Sequence, residues 1–136
     1  MTSQLNVDTI VDKAGSGGTN VKIGNTSTYV SDGGAVTQNT VQGIAKSWAA
    51  RLSTADASIN DSLNVSSTTD TDTGRTTVTF TNNFTSINFS VVMGVESNYP
   101  YKGYPASAST MFLNTLNSAN NHADGMGALT AHGDLA

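Results

Sequence analysis

The sequence predicts an all-β protein. A β-sandwich or jelly-roll-like head domain is expected over residues 42–136, preceded by a strand-containing N-terminal arm over residues 1–41. Three observations carry this expectation. Residues 62–80, SLNVSSTTDTDTGRTTVTF, hold two runs of alternating apolar and polar residues about a polar turn. Further β-like runs recur at intervals of roughly 10–20 residues with turn residues between them, the spacing of a sandwich or barrel. Only 37% of the residues are hydrophobic and only 12% charged, and Thr, Ser, Asn and Gly make up the difference. Disordered chains combine few apolar residues with high charge, so the low charge argues for a fold whose outer strand faces carry hydroxyls.

Taken in order, residues 4–12, QLNVDTIVD, read as a strand with Leu5 and Val7 on one face and Asn6 and Asp8 on the other. AGSGGT at 14–19 and SDGG at 31–34 are breaks, and 21–23 and 28–30 are short strands between them. Apolar pairs this isolated bury too little for a core, so the arm is expected to lie on the rest of the chain or to pair with other chains. Residues 42–53, QGIAKSWAARLS, fit a helix by propensity and a strand by alternation, with Ile44, Trp48 and Leu52 on one side. The strand is preferred because everything after it is β-like.

In 62–80, Leu63 and Val65 face Val78 and Phe80 across a turn at 69–74, where Asp side chains bond nearby amides and Gly74 tolerates positive φ. This is an antiparallel hairpin with one buried face. Residues 86–95 put Ile87, Phe89, Val91, Met93 and Val95 on one face. Residues 96–108 read as a loop holding Pro100, Pro105 and three tyrosines. A strand over 110–116, a polar loop over 117–125 and a closing strand over 127–133 complete the chain. Trp48, the one tryptophan, is expected in the core or a subunit seam, near Phe80 and Phe89.

Composition also narrows function. A net charge of −4 provides no basic footprint for nucleic acid. The chain has no cysteine, hence no disulfide or thiolate site. No run approaches the roughly 20 apolar residues of a membrane span. The N-terminus lacks a basic segment followed by an apolar one, so synthesis in a cytosol is expected. His122 and His132 stand ten apart without a zinc motif. Asp70–Gly74 lacks the further ligands of a calcium loop, and Gly15–Gly18 lacks the Lys-Ser/Thr of a phosphate loop. No nucleophile elbow is present, and Asp56, Asp61, Asp70, Asp72 and Glu96 form no recognisable catalytic pair. The expectation is therefore no catalytic residue, no metal and no cofactor. The surface feature that stands out is 98–105, NYPYKGYP. Tyr99, Tyr101, Lys102 and Tyr104 are its candidate recognition residues, since tyrosine buries a large area at small entropic cost and keeps a polar tip. The competing reading is a rigid loop that fills a seam.

GIAKSWAARLS, SLNVSSTTDTDTG and RTTVTFTNNFTSINFSVV, in that order, resemble the C-terminal β-domain of bacteriophage tail-fibre-like proteins of the marine-phage type. The matching residues are Gly43, Ala45, Lys46 and Trp48, then Asn64, Val65, Ser66, Ser67, Thr69, Asp70, Thr73 and Gly74, then Thr77, Val78 and Phe80. The match covers 43–92 well, the N-terminus loosely and 96–136 hardly at all. Ala49-Ala50-Arg51-Leu52 departs from the more β-branched or aromatic strand of that family. The resemblance implies a strand over 42–53 and a non-enzymatic, homotrimeric virion protein at the tail or capsid exterior, made in the host cytoplasm. Its N-terminal residues, Leu5, Val7, Ile10 and Val11 among them, would anchor to other virion proteins. Its head would face a host surface protein or glycan. A capsid decoration or head-fibre protein is the alternative, and a virion-associated hydrolase ranks below both.

Overall fold

The computed structural model describes residues 28–30, 37–39, 43–95 and 101–136, with side chains over 43–94 and 101–136. The chain divides into two units, Met1–Val41 and Gln42–Ala136. In the first, β1 (Thr28–Val30) and β2 (Thr37–Asn39) form an antiparallel pair with Thr28 opposite Asn39. Leu5, Val7, Ile10 and Val11, and Tyr99 in the second unit, lie outside the described residues.

The second unit holds β3 (Ser47–Ser53), β4 (Asp61–Leu63), β5 (Val65–Asp72), β6 (Arg75–Phe80), β7 (Ser90–Val95), β8 (Tyr101–Ser107), β9 (Thr110–Thr115) and β10 (Met126–His132). Every described element is a strand. They form two antiparallel sheets, in the orders β4-β3-β10-β7 and β5-β6-β9-β8, as a β-sandwich requires. The core draws on both: Leu52, Leu129 and Ala131 from the first sheet, Val78, Phe80, Met111 and Leu113 from the second, and Phe84 and Phe89 from the connection between β6 and β7. The sheets come close at Gly103, where an added Cβ would stand 2.7 Å from Met93 and 2.8 Å from Leu129.

Of the ambiguous stretch 42–53, residues 47–53 are strand and residues 43–46 are not, and the faces differ from the simple alternation. Ser47 and Ala49 point inward. An extra residue then enters β3 between the pairs Leu129–Ala49 and Gly127–Leu52, with Arg51 at φ 53°. This bulge turns Arg51 outward and brings Leu52 into the core, because one inserted residue inverts the parity of everything after it. Trp48 therefore does not share a face with Leu52, and Ile44, which is exposed, lies before the strand begins. Trp48 is half-buried, its side of β3 is the outer one, and it is absent from the core that Phe80 and Phe89 help form. The left-handed conformation is unfavourable for an L side chain by about 1–2 kcal/mol, and glycine removes that strain at some entropic cost. Arg51→Gly is thus expected to stabilise the domain by about 0.5 kcal/mol. A higher urea midpoint would show this, and a lower one would refute the strained assignment.

The hairpin is tighter than expected. β5 runs to Asp72, which pairs with Arg75, leaving Thr73-Gly74 as the turn. Leu63 is not part of it, because β4 pairs with β3 in the other sheet. The chain changes sheets at one residue, Asn64, at φ 58°. Its amide clamps the far side of the corner, donating to Asn82 O at 3.0 Å and accepting from Asn82 N at 2.7 Å. Asparagine suits this position because it tolerates the left-handed region and its short amide bonds backbone. After β3, the Asp56 carboxylate is held below its ordinary value by hydrogen bonds from the Ser53 hydroxyl and then from Ser58. Whatever it contributes to that turn is present above the ordinary carboxylate range and fades as acid protonates it.

Two further expectations are corrected. Residues 86–89 are not strand. Phe89, Val91 and Met93 pack inward as the alternation indicates, but Ile87 is exposed. Residues 101–107 are not loop but the strand β8. β8 is the sheet edge, bonded to β9 alone, and proline's missing N–H is tolerated at an edge. The register shift falls at Pro105. The last strand, β10, sits in the middle of its sheet between β3 and β7.

Candidate functional site

The outer face of the second sheet gathers the polar and aromatic side chains that the core rejects. Met111, Leu113 and Thr115 point inward, so Phe112 and Asn114 between them face outward. Gly103 faces the other sheet, so Lys102 and Tyr104 face outward with them. Pairing then sets two rows across the sheet: Thr69, Thr77, Phe112 and Tyr104 in one, and Asp72, Arg75, Asn114 and Lys102 in the next.

The centre of this face is a rigid cluster. The Arg75 guanidinium lies over the Phe112 ring, 4.4 Å from its centroid. Tyr104 meets Phe112 edge to face, with centroids 5.3 Å apart. Arg75 Nη2 donates to the Tyr104 hydroxyl at 2.5 Å and Nε to Asn114 Oδ1 at 3.3 Å. Asn114 Nδ2 approaches the same hydroxyl at 3.5 Å. On the neighbouring strands the Thr71 and Thr77 hydroxyls are bonded at 2.6 Å. A guanidinium stacked on a ring and tied at two nitrogens has lost most of its rotamer freedom before any ligand arrives.

Of the tyrosine-rich candidates, Tyr104 and Lys102 share this face. Tyr101 packs against the core on the other side of β8. Sequence reasoning missed Arg75, Phe112 and Asn114. Its one available signal was the outward parity of Phe112 in a strand apolar on both faces.

The outer face of the first sheet is different. Leu63, Trp48, Thr130 and Val92 occupy one row across all four strands. Leu63 is 47% and Val92 57% exposed. Asp61, Ala50, Ala128 and Gly94 lie in the adjacent positions.

Among the described residues no three His, Cys, Asp or Glu side chains gather as a metal-ligand set, and no helix is long and apolar enough to cross a membrane. The architecture defines the class: an all-β domain of two four-stranded antiparallel sheets. Comparison of the chain with family models, with curated proteins and with solved structures finds no match. The tail-fibre resemblance therefore rests on its motif residues.

Proposed function

We propose that this chain is a non-enzymatic structural protein of a bacteriophage virion, a homotrimeric fibre or tail-fibre-like protein whose head meets the host surface. The observation that carries this reading is where the motif residues fall. Asn64 is the corner between sheets, Gly74 is the positive-φ turn, and Val78 and Phe80 are core. The motif thus encodes a scaffold and no reaction chemistry, which favours a structural role over a hydrolytic one. The uncharged row Leu63–Trp48–Thr130–Val92 supports assembly, since exposed apolar rows on a sheet are faces that partners cover. In this reading the arm over residues 1–41 joins other virion proteins, and the Arg75–Tyr104 face is the part turned toward the host.

Sedimentation at micromolar concentration is expected to give three times the 14.0 kDa chain mass. A monomer would overturn the trimer. Copy number per particle separates the tail from the head: a few trimers place the protein on the tail, and hundreds place it on the capsid as a decoration or head fibre.

A further inference from the structure

We infer that the Arg75–Asn114–Tyr104–Lys102 cluster binds a carboxylate-bearing sugar, a uronic-acid unit of an acidic polysaccharide. The inference deepens the proposal above and rests on reading this sheet face as a recognition surface.

The argument is an inventory of donors and acceptors. Arginine carries five N–H donors and no acceptor. Arg75 gives one to Asn114 and one to Tyr104, and among the described residues it has no carboxylate partner. The Tyr104 oxygen accepts from both Arg75 and Asn114, which leaves its own proton to donate. Asn114 Oδ1 is taken by Arg75. Lys102 is exposed and has no hydrogen-bond or ion-pair partner among the described residues. Everything left over on these four side chains is a donor, and two of the groups are cations. One carboxylate belongs to the same row: exposed Asp72 stands opposite Arg75, with one oxygen accepting from Thr73 N, while Asp124 accepts from Gly74 N. On the side of Arg75 away from Asp72, between Arg75 and Lys102, the cluster offers only donors, and that side favours an acceptor-rich anion.

Geometry narrows the anion. Arg75 and Lys102 flank Asn114 in one row, with Cα atoms about 10 Å apart at two strand spacings. A planar carboxylate fits the free edge of a guanidinium fork and can be reached by the ammonium from the other side. Beside them the Tyr104 ring offers an apolar surface for the C–H face of a pyranose. Thr71 and Thr77 continue the face with hydroxyls that suit sugar hydroxyls. An acidic peptide would satisfy the charges but leave the aromatic and threonine positions unused.

The test titrates the full chain with a galacturonate tetrasaccharide and with its methyl ester, by calorimetry and by amide NMR shifts. The acid is expected to bind at least about tenfold more tightly, the scale of a charge-assisted hydrogen bond, with shifts at Arg75, Lys102, Asn114 and Tyr104 and weakening by salt. Arg75→Lys keeps the charge but loses the fork and is expected to lose about tenfold. Lys102→Ala, an exposed change that leaves the fold intact, is expected to lose about threefold. Arg51→Gly, on the other sheet, is expected to bind as the parent does. Equal binding of acid and ester at this face would overturn the carboxylate assignment and leave the recognition surface standing. No binding of either by a folded chain would overturn the inference outright, while trimerisation and copy number would still test the virion role. Tighter binding of a hexaglutamate peptide than of the sugar would show that the ligand class is wrong.

Discussion

Gly74→Ala is expected to destabilise the domain by about 3–5 kcal/mol, a large share of the roughly 5–15 kcal/mol that holds a domain folded. Two costs add. The backbone sits at φ 67°, which an L side chain adopts at a penalty of about 1–2 kcal/mol. The new Cβ would also stand 2.6 Å from Thr115 O and 2.7 Å from Ala123 N and O. Those are backbone atoms and they cannot step aside. Thr115 N donates to Gly74 O at 2.8 Å, Ala123 N to Thr115 O at 3.1 Å, and Gly74 N to Asp124 Oδ1 at 2.7 Å. Thr115 is itself held by the Thr54 hydroxyl at 2.7 Å. The turn between β5 and β6 is therefore stapled to the loop after β9. Urea unfolding of Gly74→Ala should show a much lower midpoint, while Thr73→Ala, on the exposed half of the same turn, should stay within about 0.5 kcal/mol of the parent. A loss below 1 kcal/mol at Gly74 would mean that this staple does not exist.

Phe84→Ala is expected to cost about as much, 3–5 kcal/mol for emptying a buried aromatic site. Phe84 is 2% exposed. Its ring stacks on Phe89 with centroids 4.2 Å apart and meets Phe80 edge-on at 5.0 Å. Aromatic pairs contribute roughly 0.5–1.5 kcal/mol beyond their buried area. The site has little room to collapse, because a Cβ added at the adjoining Gly133 would already lie 2.7 Å from Phe89 Cβ and 3.1 Å from Phe84. Phe84→Leu keeps most of the volume and is expected to lose about half as much. Equal, small losses for both variants in urea titrations would show that this connection is not part of the core.

The same parity that fills the core produces the outer face of the second sheet. Along β9, Met111 and Leu113 go in while Phe112 and Asn114 come out. Changing one face without the other is therefore feasible at Lys102, which is exposed, but not at Asn114, which is buried beneath Arg75 and Tyr104.

Period-two alternation is local, and what depends on it was readable from the amino-acid sequence alone. It marked the buried side of β6 at Val78 and Phe80, the inward set Phe89, Val91 and Met93, the strand after Thr110 and the final strand. Gly74 was readable as a positive-φ turn because that demand is local too. The tertiary structure decided whatever depends on partners. The bulge at Arg51 answers the pairing of β3 with β10, and it brought Leu52 to the face opposite Trp48. Pro105 and the tyrosines looked like loop, yet an edge strand needs no N–H from proline on its free side. Asn64 reads as one more polar residue in an alternating run until β4 and β5 are seen to belong to different sheets. Phe84 entered the core from a segment with no periodicity. Arg75 meets Tyr104 across 29 residues and Asn114 across 39. Such juxtapositions follow from strand order and register, which one chain's alternation does not encode because every register shift of two preserves the same faces.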